Sequence, residues 1–166
     1  MKNIYIYQTK LGKILIAEDG QGITDIALTA ASECNEDEIQ EIIGVSEFKP
    51  CETDLIKETA KQLQEYLEGS RKEFTVKLNP MGTPFQRKVW DALKAIPYGE
   101  TRSYKQIAQE VGNEKASRAV GMANHNNPIM CMIPCHRVIG ANGKLVGYAG
   151  GLSIKEWLLN LEKERI

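Results

Sequence analysis

The hydrophobic period of this chain changes at Asn79-Pro80, and that change restricts the folds open to it. Before this break, residues 4–7, 13–17 and 23–28 are short β-rich runs separated by Leu11-Gly12 and Gly20-Gln21-Gly22, the punctuation of a strand meander. Leu55, Ile56, Ala60, Leu63, Tyr66 and Leu67 then recur at helical spacing, and Gly69 stands where a C-terminal cap belongs. Residues 74–78 read as one further strand, and the acidic stretch 30–50 as a short helix plus loop. Beyond the break, helical signals dominate. In Thr83-Pro84-Phe85-Gln86 a threonine cap, a proline at the first helical position and a glutamine at the third agree on a helix start. Phe85, Val89, Trp90, Leu93 and Ile96 give that helix its apolar face, and Pro97-Tyr98-Gly99 ends it. Ser103-x-x-Gln106 repeats the capping pattern, Gly112 stops the short helix that follows, and a second short helix fits 115–124, so 103–124 has the shape of a helix-turn-helix.

Residues 129–133 are an apolar run without helical punctuation, expected to cross the core and deliver Pro134-Cys135-His136-Arg137-Val138. Ala141-Asn142-Gly143 is a hairpin-type turn, and Gly147-Tyr148-Ala149-Gly150-Gly151 a loop whose backbone can approach a ligand closely. Ser153-x-x-Glu156 predicts the cap of the last helix, with Trp157, Leu158 and Leu161 facing inward and Glu162 able to reach back towards the preceding loops. The expected fold class is α/β (α+β): a small sheet-plus-helix domain over residues 1–79 and a mostly helical domain over 80–166.

Charge divides along the same line. Residues 1–79 hold 9 Lys/Arg against 15 Asp/Glu, whereas residues 80–166 hold 12 against 7, so the overall −1 conceals a basic second half suited to a polyanion. The N-terminus has no basic flank, long apolar stretch or small-residue cleavage signal, and a cytoplasmic location, or a nuclear one in a eukaryote, is expected without membrane attachment. The four cysteines lack the spacing of a disulfide framework, which suits a reducing compartment. Cys34 and Cys51 read as structural or surface thiols.

Cysteine is the strong intrinsic nucleophile here, but near neutrality a thiol must be activated. His136 is the local activator for Cys135, although in extended backbone neighbouring side chains point to opposite faces, so the pair needs a turn, which Pro134 can supply. An inert buried cysteine is the alternative on spacing alone. Metal ligation by His125, Cys131, Cys135 and His136 matches no usual zinc spacing, and no metal is expected. Gly20-Gln21-Gly22 leads into a β-type run rather than a helix, so neither a dinucleotide loop nor any other cofactor site is read.

The second half as a whole resembles the O6-alkylguanine-DNA alkyltransferase family, whose signature is the Pro-Cys-His-Arg-Val pentapeptide after a helix-turn-helix. The likeness runs through Thr83-Pro84-Phe85-Gln86, Ile96-Pro97-Tyr98-Gly99-Glu100, Ser103-Tyr104, Ser117-Arg118-Ala119-Val120-Gly121, Asn127-Pro128, the pentapeptide, Gly150-Gly151-Leu152 and Lys155-Glu156-Trp157-Leu158-Leu159. The first half is similar to the family's divergent, ribonuclease H-like first domain only in length and strand-helix pattern. It contains no histidine, so a family-type zinc site is not expected there.

The resemblance implies a monomer that flips O6-alkylguanine, and also O4-alkylthymine, out of double-stranded DNA and moves the alkyl group irreversibly to Cys135, once per molecule and without a cofactor. It implies that His136, acting through a water and helped by Glu162, deprotonates the cysteine, and that Asn127 holds the turn beneath it. Arg118 is then the finger that replaces the extruded base, Tyr104 turns the target phosphate and meets the purine, and Ser103 and Lys115 join the DNA contact. Val138, Tyr148, Ala149, Gly150 and Lys155 line the base pocket. Some relatives carry serine where this chain has Ala149, which removes a hydroxyl and leaves the backbone N–H; non-catalytic relatives carry tryptophan in place of the pentapeptide cysteine. Two other readings stay open: a major-groove regulator, disfavoured because 115–124 is mainly small and apolar, and a cysteine hydrolase, which would turn over repeatedly.

Overall fold

The computed structural model describes residues 1–29, 36–140, 142–143 and 151–164. The chain divides into two compact units, Met1–Met81 and Gly82–Ile166.

The first unit is built on a four-stranded sheet in the order β3-β2-β1-β4. Strands β1 (Lys2–Thr9), β2 (Gly12–Glu18) and β3 (Ile23–Leu28) form the antiparallel meander. The first turn closes Thr9 onto Gly12, which sits at φ 112, a backbone angle that costs glycine little. Asp19 makes the second turn by accepting the Gln21 and Gly22 N–H groups on Oδ1. β2 is central and buried from Ile14 to Glu18. Its Leu15 and Ala17 join Ile4 against Ile39 and Ile43 of helix α1 (Glu36–Ile43). Alternation therefore turns Ile14 and Ile16 to the other face, and α2 (Asp54–Leu67) packs against β1 and β2. Buried Lys2 ties the elements together: its Nζ donates to Asp25 Oδ2 at 2.9 Å and to the Ile43 carbonyl at 2.8 Å.

Two details of this unit differ from the pattern reading. β4 (Phe48–Pro50) pairs parallel with β1, and at three residues it is too short to show a period. Residues 74–78 form no strand, only a single bridge from Leu78 to Ile23. The Gln62 side chain accepts the Thr75 N–H on Oε1 and donates Nε2 to the Thr75 hydroxyl, so a helix side chain satisfies that backbone N–H where a ladder would have.

The second unit holds α3 (Pro84–Lys94), α4 (Tyr104–Glu110), α5 (Ser117–His125) and α6 (Leu152–Glu164). Thr83 and Ser103 form capping boxes with Gln86 and Gln106, as the tetrapeptides predict. α3 packs on α4 and α5, which also pack on each other. Trp90 of α3 is buried and donates its indole N–H to the Ala123 carbonyl at 2.9 Å, fixing the helix-turn-helix by a directional bond as well as by area. β5 (Arg102–Ser103) pairs parallel with β6 (Val138–Ile139), a two-residue match that no periodicity announces.

The last helix departs from expectation in two ways. It begins at Leu152 directly after Gly151, whose φ of 98 suits glycine, so Ser153 lies inside the helix and does not cap it. The inward face is Lys155, Leu158, Leu161 and Glu162; Trp157 lies off that stripe and is 38 % exposed. Among the described residues no helix is long and apolar enough to cross a membrane.

A methyl group added at Gly82 would lie 2.5 Å from the Trp90 ring, so Gly82→Ala is expected to destabilise the second unit by about 1–3 kcal/mol through overpacking. Trp90→Phe, which removes the donor to Ala123, is expected to cost a similar amount, about 1–3 kcal/mol. Denaturant unfolding followed by the signal of this unit checks both; a wild-type midpoint for either variant would contradict the anchoring role of Trp90.

Candidate functional site

The apolar run ends at Pro134, and the chain then makes a single 3-10 turn over Cys135–Arg137, closed by the Arg137 N–H on the Pro134 carbonyl at 3.0 Å. With about three residues per turn, successive side chains are about 120° apart, so Cys135 and His136 are not thrown to opposite faces as they would be in a strand. The turn is held from below. Asn127 donates Nδ2 to the Ile133 carbonyl at 2.8 Å and accepts the Ile129 N–H at 3.0 Å, which keeps the segment from 127 to 133 folded on itself. Within it Cys131 stands at φ 67, an unusual angle for a residue with a Cβ. From α5, buried Asn124 donates Nδ2 to the Cys135 carbonyl at 3.3 Å.

Behind the turn lies the carboxylate of Glu162, on the inward face of α6 and 1 % exposed. Its Oε2 is 2.6 Å from His136 Nε2 and 3.0 Å from Arg137 Nη2. Its Oε1 accepts Arg137 Nε at 2.8 Å and the Gly99 N–H at 3.0 Å. The remaining Arg137 nitrogen, Nη1, donates to the Ile96 carbonyl at 2.8 Å, and the guanidinium lies over the Tyr98 ring. Burial opposes the charge on Glu162, but the hydrogen bonds from His136 and Arg137 and the full charge of the Arg137 guanidinium outweigh it and hold the carboxyl well below its ordinary range. His136 is fully buried; burial first, and then the Arg137 and Lys155 charges, keep its pKa below the ordinary 6.5 despite Glu162. At neutral pH the ion pair is therefore Glu162 with Arg137, while His136 is an uncharged imidazole donating Nε2–H to the carboxylate. That tautomer leaves Nδ1 as the basic nitrogen.

Lys155, Tyr104 and Cys131 lie within electrostatic reach of Cys135. Lys155, buried in α6, donates Nζ to the Val138 carbonyl at 2.6 Å, and burial lowers its pKa to about 8 against the opposing influence of Cys135. Tyr104, at the start of α4, has its pKa raised by burial and then by Cys135, against a hydrogen bond with Asn124. Burial pushes the Cys131 thiol far above its ordinary range, so this neighbour is the wrong sulfur for nucleophilic work at neutral pH. Cys135 itself is buried, at 5 % exposure.

The remaining predicted residues lie on or near the helix-turn-helix. Arg118 and Lys115 are exposed, Arg118 in the first turn of α5, while Ser103 spends its hydroxyl capping α4. Val138 is buried directly after the 3-10 turn. Tyr148, Ala149 and Gly150, assigned to the base pocket, and Cys34 lie outside the described residues. Sequence reading missed Arg137, Asn124 and the Gly99 N–H as parts of this cluster. One signal was available for Arg137: a permanent cation following a long apolar run must find a buried counter-charge.

Comparison with known proteins adds to this geometry. Residues 4–80 match the family model described as 6-O-methylguanine DNA methyltransferase, ribonuclease-like domain, and residues 84–164 match that of the same methyltransferase's DNA binding domain. The chain is 50% identical over 157 residues to a methylated-DNA–protein-cysteine methyltransferase of Methanosarcina acetivorans, covering 95% of this chain and 96% of that one. It is 48% identical over 159 residues to the constitutive enzyme of that name from Bacillus subtilis, covering 94% and 92%. Among solved structures it is similar to the O6-methylguanine methyltransferase of Mycobacterium tuberculosis, with a TM-score of 0.86 and 40% identity over 100% of this chain and 95% of that one. The Mycobacterium tuberculosis protein solved in complex with DNA gives a TM-score of 0.81 at 40% identity, covering 99% and 93%. Two family models that between them span nearly the whole chain, and relatives matched over more than nine-tenths of their length, lead to one conclusion: the chain belongs to the 6-O-methylguanine DNA methyltransferase family.

Proposed function

We propose that this protein repairs duplex DNA by taking the alkyl group from O6 of an everted guanine, and from O4 of thymine, onto Sγ of Cys135, once per molecule. The observation that carries this reading is the buried Glu162–His136 pair behind the cysteine turn, a neutral base with its second nitrogen engaged by a carboxylate. His136 Nδ1 takes the thiol proton through a water, and the Lys155 ammonium offsets the negative charge left on sulfur. The thiolate attacks the alkyl carbon in line with the carbon–oxygen bond; the sulfur–carbon bond forms as that bond breaks, and the electron pair passes to the oxygen and ring of the base. Tyr104 donates a hydrogen bond to the ring where that charge gathers. The product is a thioether, which water does not cleave, and among the described residues the neighbouring thiol, Cys131, is held in its protonated form by burial and does not relieve it.

A base stacked in a duplex hides its alkyl carbon, so the nucleotide must leave the helix, at a cost of a few kcal/mol for unstacking. Exposed Arg118 on α5 is the side chain suited to fill the gap, and the basic balance of residues 80–166 supplies a sequence-independent attraction to phosphate. The similarity to a relative solved in complex with DNA supports DNA as the partner. Location in the cytoplasm and action as a monomer complete the reading.

Cys135→Ala is expected to abolish transfer while retaining affinity for duplex DNA in a gel-shift titration; residual alkyl uptake would move the acceptor elsewhere. Arg118→Ala should slow repair of duplex far more than reaction with the free modified base, and equal slowing on both substrates would remove the finger role. Glu162→Gln is expected to lower the single-turnover rate by about 10²–10⁴-fold, the scale of general base catalysis. Because the neutral imidazole is the active form and its pKa is held below 6.5, the rate should persist through pH 7 and fall only on further acidification. An acid limb centred above pH 6.5 would contradict the base assignment.

A further inference from the structure

We infer that Arg137 is a positioning residue for the alkyl transfer: by forking onto both oxygens of Glu162, its guanidinium fixes His136 as a neutral imidazole with its proton on Nε2. The inference rests on the reading of His136 as the base and adds a residue that never touches the substrate.

The geometry is restrictive. Arg137 is 6 % exposed, and all three of its guanidinium nitrogens are used, Nε and Nη2 on Glu162 and Nη1 on the Ile96 carbonyl, with the Tyr98 ring below its plane. A buried carboxylate needs one full positive charge nearby, and among the described residues two candidates touch Glu162: Arg137, which is permanently charged, and His136, which can be. Whichever supplies the charge decides the state of the other site. With Arg137 in place the charge on Glu162 is already balanced, and the imidazole needs to give it only a hydrogen bond. Without Arg137 the same carboxylate would draw a proton onto His136, and an imidazolium cannot accept the thiol proton. Arginine suits this task because its fork occupies both carboxylate oxygens at once and cannot be deprotonated in the working range. Among the described residues, the other charged or titratable groups acting on this cluster are Lys155 from α6, Cys135 in the same turn, and Cys131. Lys155 disfavours the imidazolium as Arg137 does, but its ammonium is bound to the Val138 carbonyl and not to the carboxylate, so it cannot replace the fork.

Nitrogen-15 NMR of the full-length protein in its unreacted state tests this, with single-turnover rates on duplex oligonucleotide measured across the same pH range. In the wild type His136 should be the Nε2–H tautomer at pH 7. In Arg137→Met its titration midpoint should rise by about one pH unit or more, the usual effect of an uncompensated carboxylate in contact, and Arg137→Lys should fall between the two. The acid limb of the transfer rate should move with the midpoint. A wild-type imidazolium or Nδ1–H tautomer at pH 7 overturns the inference without any variant, and so does an unchanged midpoint in a folded Arg137→Met. A midpoint that moves while the acid limb stays put would show that Arg137 holds the imidazole neutral but would remove His136 as the base, and with it Arg137 as a positioning residue for the transfer.

Discussion

A single buried carboxylate organises the second unit. Glu162 takes hydrogen bonds from the Cys135–Arg137 turn and from the Gly99 backbone, so it joins segments far apart in the chain: the end of the α3 connection, the reactive turn and the last helix. Leaving such a group uncompensated would cost several kcal/mol, so the arrangement is all or nothing; either these partners are in place or the carboxylate must be protonated. The same constraint that closes the fold also sets the protonation state of His136. Folding and chemistry here draw on one electrostatic arrangement.

Around that centre the helix-turn-helix works as a platform. The capping boxes of α3 and α4 set where the helices start, and Trp90 holds α5 by a hydrogen bond as well as by packing. Asn124 extends the connection from the inner face of α5 to the backbone of the reactive cysteine, while Arg118 on the outer face stays exposed. The helix therefore leaves Arg118 exposed while Asn124 holds the backbone of Cys135. The two neighbouring thiols illustrate how position decides reactivity: Cys131 sits deep in the core with its proton held by burial, and Cys135 lies at the edge of the core among groups that respond to its charge.

Much of this was legible in the sequence, for physical reasons that differ by element. Local chemistry announced the meander turns, the helix α2 and the starts of α3 and α4, because caps, prolines and glycines act over a few residues. The pentapeptide and its surroundings carried the family resemblance, and the structure brings His136, Glu162, Asn127 and Lys155 to the turn that holds Cys135. What was not legible depended on partners distant in the chain. β4, β5 and β6 are two or three residues long and exist only through their pairing, residues 74–78 found a glutamine side chain in place of a strand, and Gly151 started α6 before Ser153 could cap it. Arg137 stood in plain sight inside the motif, but its role follows from a carboxylate 25 positions away.

The central claim is that one sulfur accepts one alkyl group for good. The most direct measurement is peptide-resolved mass spectrometry of the protein after incubation with an excess of duplex oligonucleotide carrying a single O6-methylguanine, with lesion loss counted in parallel. The account predicts one added methyl on the peptide containing Cys135 and lesion loss that stops at one equivalent per molecule. An unmodified Cys135 after the lesion has gone, or many lesions cleared by each molecule, would contradict it.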